Sequence, residues 1–435
     1  MKKIILGGGL TGLSSYEFTN PNTENLLIDK VSQLGGLTRS VYIDDFTYDY
    51  TGHFLHLSKF KNPSDITDKI NLSEWQQIEK HSYCYYKGKF VNAPFQYNLA
   101  DLGKAESEMF FLSFLEAHNN KSKKSDVAEV KLENYFKEEF GELIANEFLI
   151  PYNEKLLSNN LAKLNISGIN RFFPKPDFDK IQAGALVKKG LNGPAVGYNS
   201  KFWYPKQDGI SLLIKALLPK EKHVIGIPEF IDIDKKIVKI GKKDYSYTDI
   251  VSSIPLPDLM KLIRSDKIDV DFLQPDAEKL NCSSTFAINI GFSIPLPKEL
   301  EDLHWLYFSE KKYTFHRIGF YSNFNSFMCP ANCSSIYVEV GVDKEKVNEF
   351  NQYSVLQQVF SELGTLGFFD LSKIANYHTS MMVNAYVRFD KQWNIVVDKS
   401  RKYLLDQSIL STGRYGKWNY TSMEDSILDG KFSRY

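Results

Sequence analysis

The sequence predicts an α/β protein: a discontinuous Rossmann-like domain interrupted by a helical insertion and by an antiparallel β-sheet unit. Three observations carry this. The first forty residues read strand, glycine turn, helix, strand, acid. Residues 100 to 165 have helical apolar spacing. Aromatic-rich strands then succeed one another from Thr285 to Val342, and the tail from Ile409 to Asp429 returns to strand, glycine turn and helix. At 435 residues the chain exceeds the usual size of one core, so two or three units are expected.

The opening elements each have a physical task. Lys3-Ile4-Ile5-Leu6 is a short apolar strand that runs into Gly7-Gly8-Gly9-Leu10-Thr11-Gly12. Gly7 permits the tight turn, Gly9 lets the backbone approach a pyrophosphate, and Gly12 lets the helix pack on the strand. The helix N-terminus offers free N–H groups and a positive dipole end to phosphates. A second strand, Asn25-Leu26-Leu27-Ile28, ends on Asp29, placed to accept hydrogen bonds from a ribose diol. A further pair, Gly35-Gly36, precedes Leu37. NAD dehydrogenases do not need that addition, whereas many FAD enzymes of the glutathione-reductase and amine-oxidase type have it. The expected cofactor is therefore FAD, with a bare glycine turn as the alternative.

Composition narrows the partners. Lys+Arg 53 against Asp+Glu 53 gives zero formal charge, so no long-range field favours nucleic acid or an anionic membrane. Lys2-Lys3 could open a signal peptide, but the apolar run stops at Gly7, too short for a signal core. No stretch has the apolar length of a membrane span, and a cytoplasmic protein is expected. Of Cys84, Cys282, Cys329 and Cys333 only the last two are close, with no histidine between or beside them at metal-ligand spacing, so free thiols and no metal are expected. With 25 Tyr and 31 Phe, the chain can fill a large core and still wall a polar-ligand cleft.

The expected order of units follows. Residues 1–80 form the first part of the FAD domain, and 81–200 a helical insertion with substrate contacts. Within the insertion, Met109 to Ala117 and Leu132 to Ile150 are helical, joined by an exposed polar loop at Asn119 to Asp126. Residues 201–265 return to the FAD domain. There Phe202-Trp203-Tyr204-Pro205 is a strand, Ser211 to Leu218 a helix, and His223 to Ile240 hairpin-like strands. Asp249 to Pro255 is a buried strand that revisits the first sheet. Residues 266–390 form the antiparallel substrate sheet, and 391–435 supply the closing strand and helix.

Four segments could serve a flavin site. In Tyr48-Asp49-Tyr50-Thr51-Gly52-His53, the Gly-His pair is either a turn with a core histidine or a backbone kink against the isoalloxazine. Pro151-Tyr152-Asn153 ends a helix, and Arg171 downstream could be an ordinary surface charge. Arg317 sits among apolar strands, where an unpaired guanidinium is costly. Its partner is either a protein carboxylate or a ligand phosphate, which guanidinium suits through bidentate donation. Finally, Gly413-Arg414-Tyr415-Gly416-Lys417-Trp418-Asn419-Tyr420 leads to a helix near Ser422 that carries Asp425.

Together these segments resemble the UDP-galactopyranose mutase family, in particular its eukaryotic-type and related bacterial members. Asp44 to Leu57 is similar to the family's stretch around its flavin-facing Gly-His. Pro94-Phe95-Gln96, Pro151-Tyr152-Asn153 with Arg171, and Asn199 with Phe202-Trp203-Tyr204-Pro205 are similar to further family segments. The most specific likenesses are Trp305-Leu306-Tyr307, ten residues before Arg317, and Gly413 to Tyr420. Ala93 stands where the family has an aromatic, and Asp208-Gly209 where it has Gly-Gly. Flavin oxidases of the protoporphyrinogen-oxidase type share the N-terminal half but not the full Arg and Tyr set.

The resemblance implies a non-redox isomerase. It would interconvert pyranose and furanose forms of a UDP-galactose-like sugar through a covalent adduct to reduced FAD. Arg171 and Arg317 would clamp the diphosphate; Tyr307, Tyr386 and Tyr420 would line it. Asn199 would orient a sugar hydroxyl, Phe95 and Gln96 would hold the base, and Gly52-His53 would contact the reactive flavin edge. Arg414 and Asp425 would sit near the flavin. The partners implied are a nucleotide-diphosphate sugar and a reductant for the flavin, with a homo-oligomer left open. Two other readings stand beside this one: an FAD-dependent oxidoreductase of the amine-oxidase type, and a flavin-binding protein without turnover.

Overall fold

A computed structural model describes residues 2–20, 22–60, 69–120, 130–165, 175–188, 200–219 and 223–433. The strand Lys2–Leu6 lies at the centre of a five-stranded sheet. It pairs in parallel with Glu24–Asp29 on one side and Asp249–Ser252 on the other. Val224–Ile225 and Ile409–Ser411 complete the edges, also in parallel. A parallel sheet covered on both faces wants continuous apolar runs, which Ile4-Ile5-Leu6 and Ile250-Val251 supply. The nucleotide domain is thus assembled from segments far apart in the chain, as the sequence predicts.

Its tightest packing is at the first turn. A Cβ on Gly12 would lie 1.8 Å from the carbonyl oxygen of Gly7. The helix Leu10–Glu17 therefore starts directly on the strand end. Helix Met423–Lys431 closes over it, with the Cα of Gly430 so near that a Cβ there would lie 2.3 Å from the Thr11 carbonyl oxygen.

The second body is a seven-stranded sheet whose two faces differ in chemistry. In spatial order its strands are Ile374–Val387, Cys282–Phe292, Ser334–Asp343, Arg317–Phe320, Trp305–Phe308, Ser82–Tyr86 and Lys89–Asn92. Alternate residues share a face. One face presents Phe286, Ile288, Ile290, Ile336, Val338 and Ile318, packed beneath Leu356, Val359 and Leu363 of helix Gln352–Leu366. The other presents Thr285, Ala287, Asn289, Tyr337, Glu339, Arg317 and Tyr307, which the register places side by side. A bulge between the pairs Ser283–Tyr386 and Thr285–Met382 re-aims the Tyr386 end of the edge strand.

Three sequence expectations are corrected here. Ser82–Asn92 reads as the start of a helical insertion, yet its hairpin joins the large sheet, parallel to Trp305–Phe308. Tyr83, Cys84, Tyr85, Tyr86 and Val91 are buried there, so both faces of the hairpin are covered. Within His223 to Ile240, only Phe230–Asp232 and Ile237–Ile240 form a hairpin, inside a separate four-stranded sheet. Val224–Ile225 instead extends the parallel sheet. Phe202 to Pro205 is a strand, but it pairs with Trp75–Glu79 outside that sheet. The helices themselves form as expected, at Lys104–Asn119, Leu132–Phe140 and Ile150–Leu157. They enclose an aromatic core of Phe95, Phe110, Phe114, Phe136 and Phe148.

Because a backbone carbonyl cannot yield to an added methyl, Gly12→Ala is expected to cost about 3 kcal/mol or more, the upper end for overpacking. Denaturant midpoints compare the two proteins; an unchanged midpoint contradicts the packing described.

Candidate functional site

The two glycine turns meet to form a backbone groove. The N–H of Gly35 donates to the Gly8 carbonyl at 2.8 Å. Gly36, at φ +58°, lies so close that a Cβ on it would sit 3.1 Å from the Cα of Gly9. A Cβ on Gly9 would meet nothing nearer than 4.0 Å. Side chains at these positions would fill the groove that leads to the N-terminus of helix Leu10–Glu17. Asp29 accepts from the N–H groups of Gly8 at 2.6 Å and Val31 at 3.0 Å. A carboxylate has about four lone-pair positions, so capacity for a ribose diol remains. Gly7, Gly9, Gly12, Asp29, Gly35 and Gly36 thus fit a dinucleotide such as FAD. Arg39 braces the second turn: its Nε donates to the Gly36 carbonyl at 2.7 Å and its guanidinium lies 4.7 Å over Tyr50. Leu37 packs on Ala287, Met382 and Ala385, which joins this turn to the polar face of the large sheet.

On that face, Arg317 lies opposite Tyr307 on one neighbour and Glu339 on the other. The ten-residue spacing from Tyr307 to Arg317 is therefore the register of a β-hairpin. Arg317 donates from Nε at 2.9 Å and Nη2 at 2.7 Å to the two oxygens of Glu339, leaving Nη1 outside the pair. Glu339 is 1% exposed. Burial drives its pKa upward, but the Arg317 charge and His316, 3.2 Å away, hold it down at about 2. Of the two partners left open for Arg317, the protein carboxylate is present.

Around this pair stand the phenols. Tyr386 and Tyr420 stack with centroids 5.3 Å apart, and Arg414 lies 4.4 Å over the Tyr420 ring. Arg414 is fixed through the carbonyls of Thr421 and Ala385, the latter in the bulged strand. Tyr152 meets Tyr307 edge-on at 5.8 Å. Burial pushes the Tyr152 and Tyr386 hydroxyls well up, and both feel Arg317, Glu339 and Tyr420. They stay protonated donors. His53, near enough to feel Arg414, Arg317 and Glu339, is pushed down to about 4 by burial, and so is neutral at neutral pH. Its Nδ1 lies 3.2 Å from the Thr51 carbonyl oxygen. Gly52 touches the sheet: a Cβ there would fall 1.9 Å from the Tyr337 hydroxyl.

Arg317, Tyr307, Tyr386, Tyr420, Arg414 and His53 thus come together, and Tyr152 joins them. Arg171 and Asn199 lie outside the described residues. Phe95 is corrected: its ring, 1% exposed, stacks on Phe148 at 4.6 Å and abuts Tyr86 and Phe110, so it belongs to the core and cannot hold a base. Gln96, beside it on the short turn Phe95–Tyr97, is half-buried. The Asp425 carboxylate serves Ser422 in a capping box and pairs with Lys59, which accounts for both oxygens without a ligand. Among the described residues no cluster suits a metal, and no helix is long and apolar enough to cross a membrane.

Sequence reasoning missed Glu339 and Asp49. The signal for Glu339 was a lone acid in the alternating run Ile336-Tyr337-Val338-Glu339-Val340, in phase with Tyr337. Asp49, fully buried, joins the bodies. Its carboxylate accepts from Ser40 Oγ at 2.7 Å, Tyr204 Oη at 2.6 Å and the Ile210 N–H at 3.0 Å. Its carbonyl accepts from Asn289 at 3.1 Å and Tyr321 at 2.8 Å on the large sheet. Burial raises its carboxyl to about 6, against the lowering effect of those donors.

The family description NAD(P)-binding Rossmann-like domain matches residues 5–70. Along 99% of the chain the structure superposes on reduced UDP-galactopyranose mutase, covering 92% of that protein with a TM-score of 0.91 at 24% identity. The chain has the fold of UDP-galactopyranose mutase. The same fold extends to a protein described as a protoporphyrinogen oxidase from Exiguobacterium sp. 255-15, with TM-score 0.71 and 15% identity over 99% of this chain and 97% of that one. Cyclohexylamine oxidase from Brevibacterium oxydans IH-35A follows at TM-score 0.68 and 10% identity, with the same coverage. The shared fold therefore fixes architecture and leaves the chemistry open.

Because Asp49 has a higher pKa folded than unfolded, its contribution to stability is full at acid pH and is lost as pH rises through about 6. Asp49→Asn removes this loss. Relative to the native protein, the variant should gain about 3 kcal/mol between about pH 4 and pH 8. Urea unfolding at both pH values measures it; a pH-independent difference would mean that Asp49 does not titrate as described.

Proposed function

We propose that the chain binds FAD along the glycine groove and interconverts pyranose and furanose forms of a nucleoside-diphosphate sugar of the UDP-galactose kind. The observation that carries this reading is a fixed guanidinium, Arg317, set among phenols on the sheet face that adjoins the second glycine turn. An amine substrate, itself a cation at neutral pH, gives such a group nothing to bind, whereas a diphosphate does.

The residues divide the work. Glu339 holds Nε and Nη2 of Arg317, so the guanidinium plane is set before a ligand arrives and Nη1 is left to meet a phosphate oxygen. Tyr307, Tyr386 and Tyr420 supply hydroxyl donors to the same anion, and Arg171 is the second cation that the sequence offers. As the anomeric bond to the diphosphate breaks, negative charge grows on the leaving oxygen. Fixed donors then stabilise the transition state more than the ground state. Reduced flavin, when bound, would supply an electron-rich nitrogen to the anomeric carbon. Neutral His53 offers an uncharged edge there. A nucleotide sugar and a reductant for the flavin are the small-molecule partners that this chemistry requires.

Two outcomes test the reading. Holoprotein reduced with dithionite should convert UDP-galactopyranose to the furanose form, seen by chromatography, and the oxidised protein should not. Conversion-independent oxygen uptake with an amine substrate would transfer the assignment to an oxidase.

The second concerns Arg317. Truncation to Ala leaves Glu339 buried without its cation, at a cost of about 3–5 kcal/mol, and so confuses folding with binding. Arg317→Lys retains a charge but not the fork. UDP affinity should fall about tenfold to a hundredfold while flavin content is kept. Undiminished affinity in that variant removes Arg317 from the anion site.

A further inference from the structure

Lys155 has no role in the site described so far, yet the site hangs from it. It lies on helix Ile150–Leu157, three residues after Tyr152, so both side chains leave the same helix face. Its Nζ donates to three main-chain carbonyls: Phe308 at 3.2 Å, Glu310 at 2.6 Å and Phe315 at 3.2 Å. Phe308 ends strand Trp305–Phe308, and Glu310 and Phe315 lie in the loop that joins it to strand Arg317–Phe320. Tyr307 immediately precedes that bonded segment, and Arg317 follows it after His316. The helix packs directly on the sheet at this point: a Cβ on Gly341 would lie 1.9 Å from the Lys155 carbonyl oxygen.

We infer that Lys155 is a positioning residue for the diphosphate site: its ammonium gathers the Phe308–Phe315 loop and so holds Tyr307 and Arg317 opposite each other beside Tyr152. This rests on the proposed nucleotide-sugar reading and adds to it a control by pH. An ammonium has three N–H donors for three carbonyls. A neutral amine has two donors, and its lone pair must face the third carbonyl oxygen. Burial lowers the Lys155 ammonium to about 8, while Glu310 in the loop and Glu362 on the overlying helix act to raise it. His316, next to Arg317, feels Lys155 as well but is pushed further towards its neutral form by burial, and so does not change charge in the same range.

The test is calorimetric titration of FAD-loaded protein with UDP at about pH 7 and at about pH 9. The native protein should bind about tenfold more weakly at the higher pH, the loss of one charge-assisted hydrogen bond. Lys155→Met should bind about tenfold more weakly already at about pH 7 and show no further fall. Uracil ionisation is common to both proteins and cancels in the comparison. If the native protein binds UDP and the Met variant matches it in affinity and pH slope, the assignment of Lys155 is wrong and the parent reading stands. If the native protein does not bind UDP at either pH, the parent reading fails and takes this inference with it. Should the Met variant lose its flavin, the native profile alone decides, and a flat profile between the two pH values overturns the inference.

Discussion

A carboxylate in the middle of a β-sheet is tolerable only when its charge is met on the spot, and Glu339 shows what that demands. Removing an ion of this size from water costs several kcal/mol, which a single well-aligned cation can offset. Arg317 meets it with a two-point contact, and His316 lies against the same oxygen. The pair therefore has one permitted geometry. Strand register, the hairpin loop behind it and the phenols beside it all have to agree with that geometry. The result is a guanidinium that reaches a ligand already oriented, with less freedom to lose on binding.

The large sheet separates stability from chemistry by a period of two. Residues of one parity in Cys282–Phe292 and Ser334–Asp343 pack under helix Gln352–Leu366 and make an ordinary apolar core. Residues of the other parity make the polar wall that carries Glu339, Arg317 and Tyr307. A fold shared with oxidases can thus be turned to a different purpose by changing side chains on one parity alone, with little effect on the core. Asp49 is where this sheet and the nucleotide domain are tied, through five hydrogen bonds on a single buried residue.

How much of this could be read in the sequence depended on whether the cause was local. The Gly7 to Gly12 turn was legible because Gly7 answers to its own positive φ and Gly12 to the nearby Gly7 carbonyl, and Asp29 follows from the next strand. The spacing between Tyr307 and Arg317 was legible as a pattern, although its cause, cross-strand register, was not. Glu339 stayed hidden because its importance arises only when a strand twenty-two residues away, at Arg317, is laid beside it. Phe95 misled for a related reason: a motif gives the residue but not the direction of its ring, and here Phe148 holds it inward. The Ser82–Asn92 hairpin was missed because its strand neighbour lies more than two hundred residues on, at Trp305.

The order of the chain also has a consequence for biosynthesis. The first helix is covered by Met423–Lys431, and the first sheet is closed at one edge by Ile409–Ser411. At about 5–20 residues per second, a ribosome needs on the order of tens of seconds to pass from one to the other. Throughout that interval Leu10 and Leu13 lack the cover that Ile427 later gives them. The nascent first helix therefore exposes apolar surface that a chaperone can hold until Met423–Lys431 has been made.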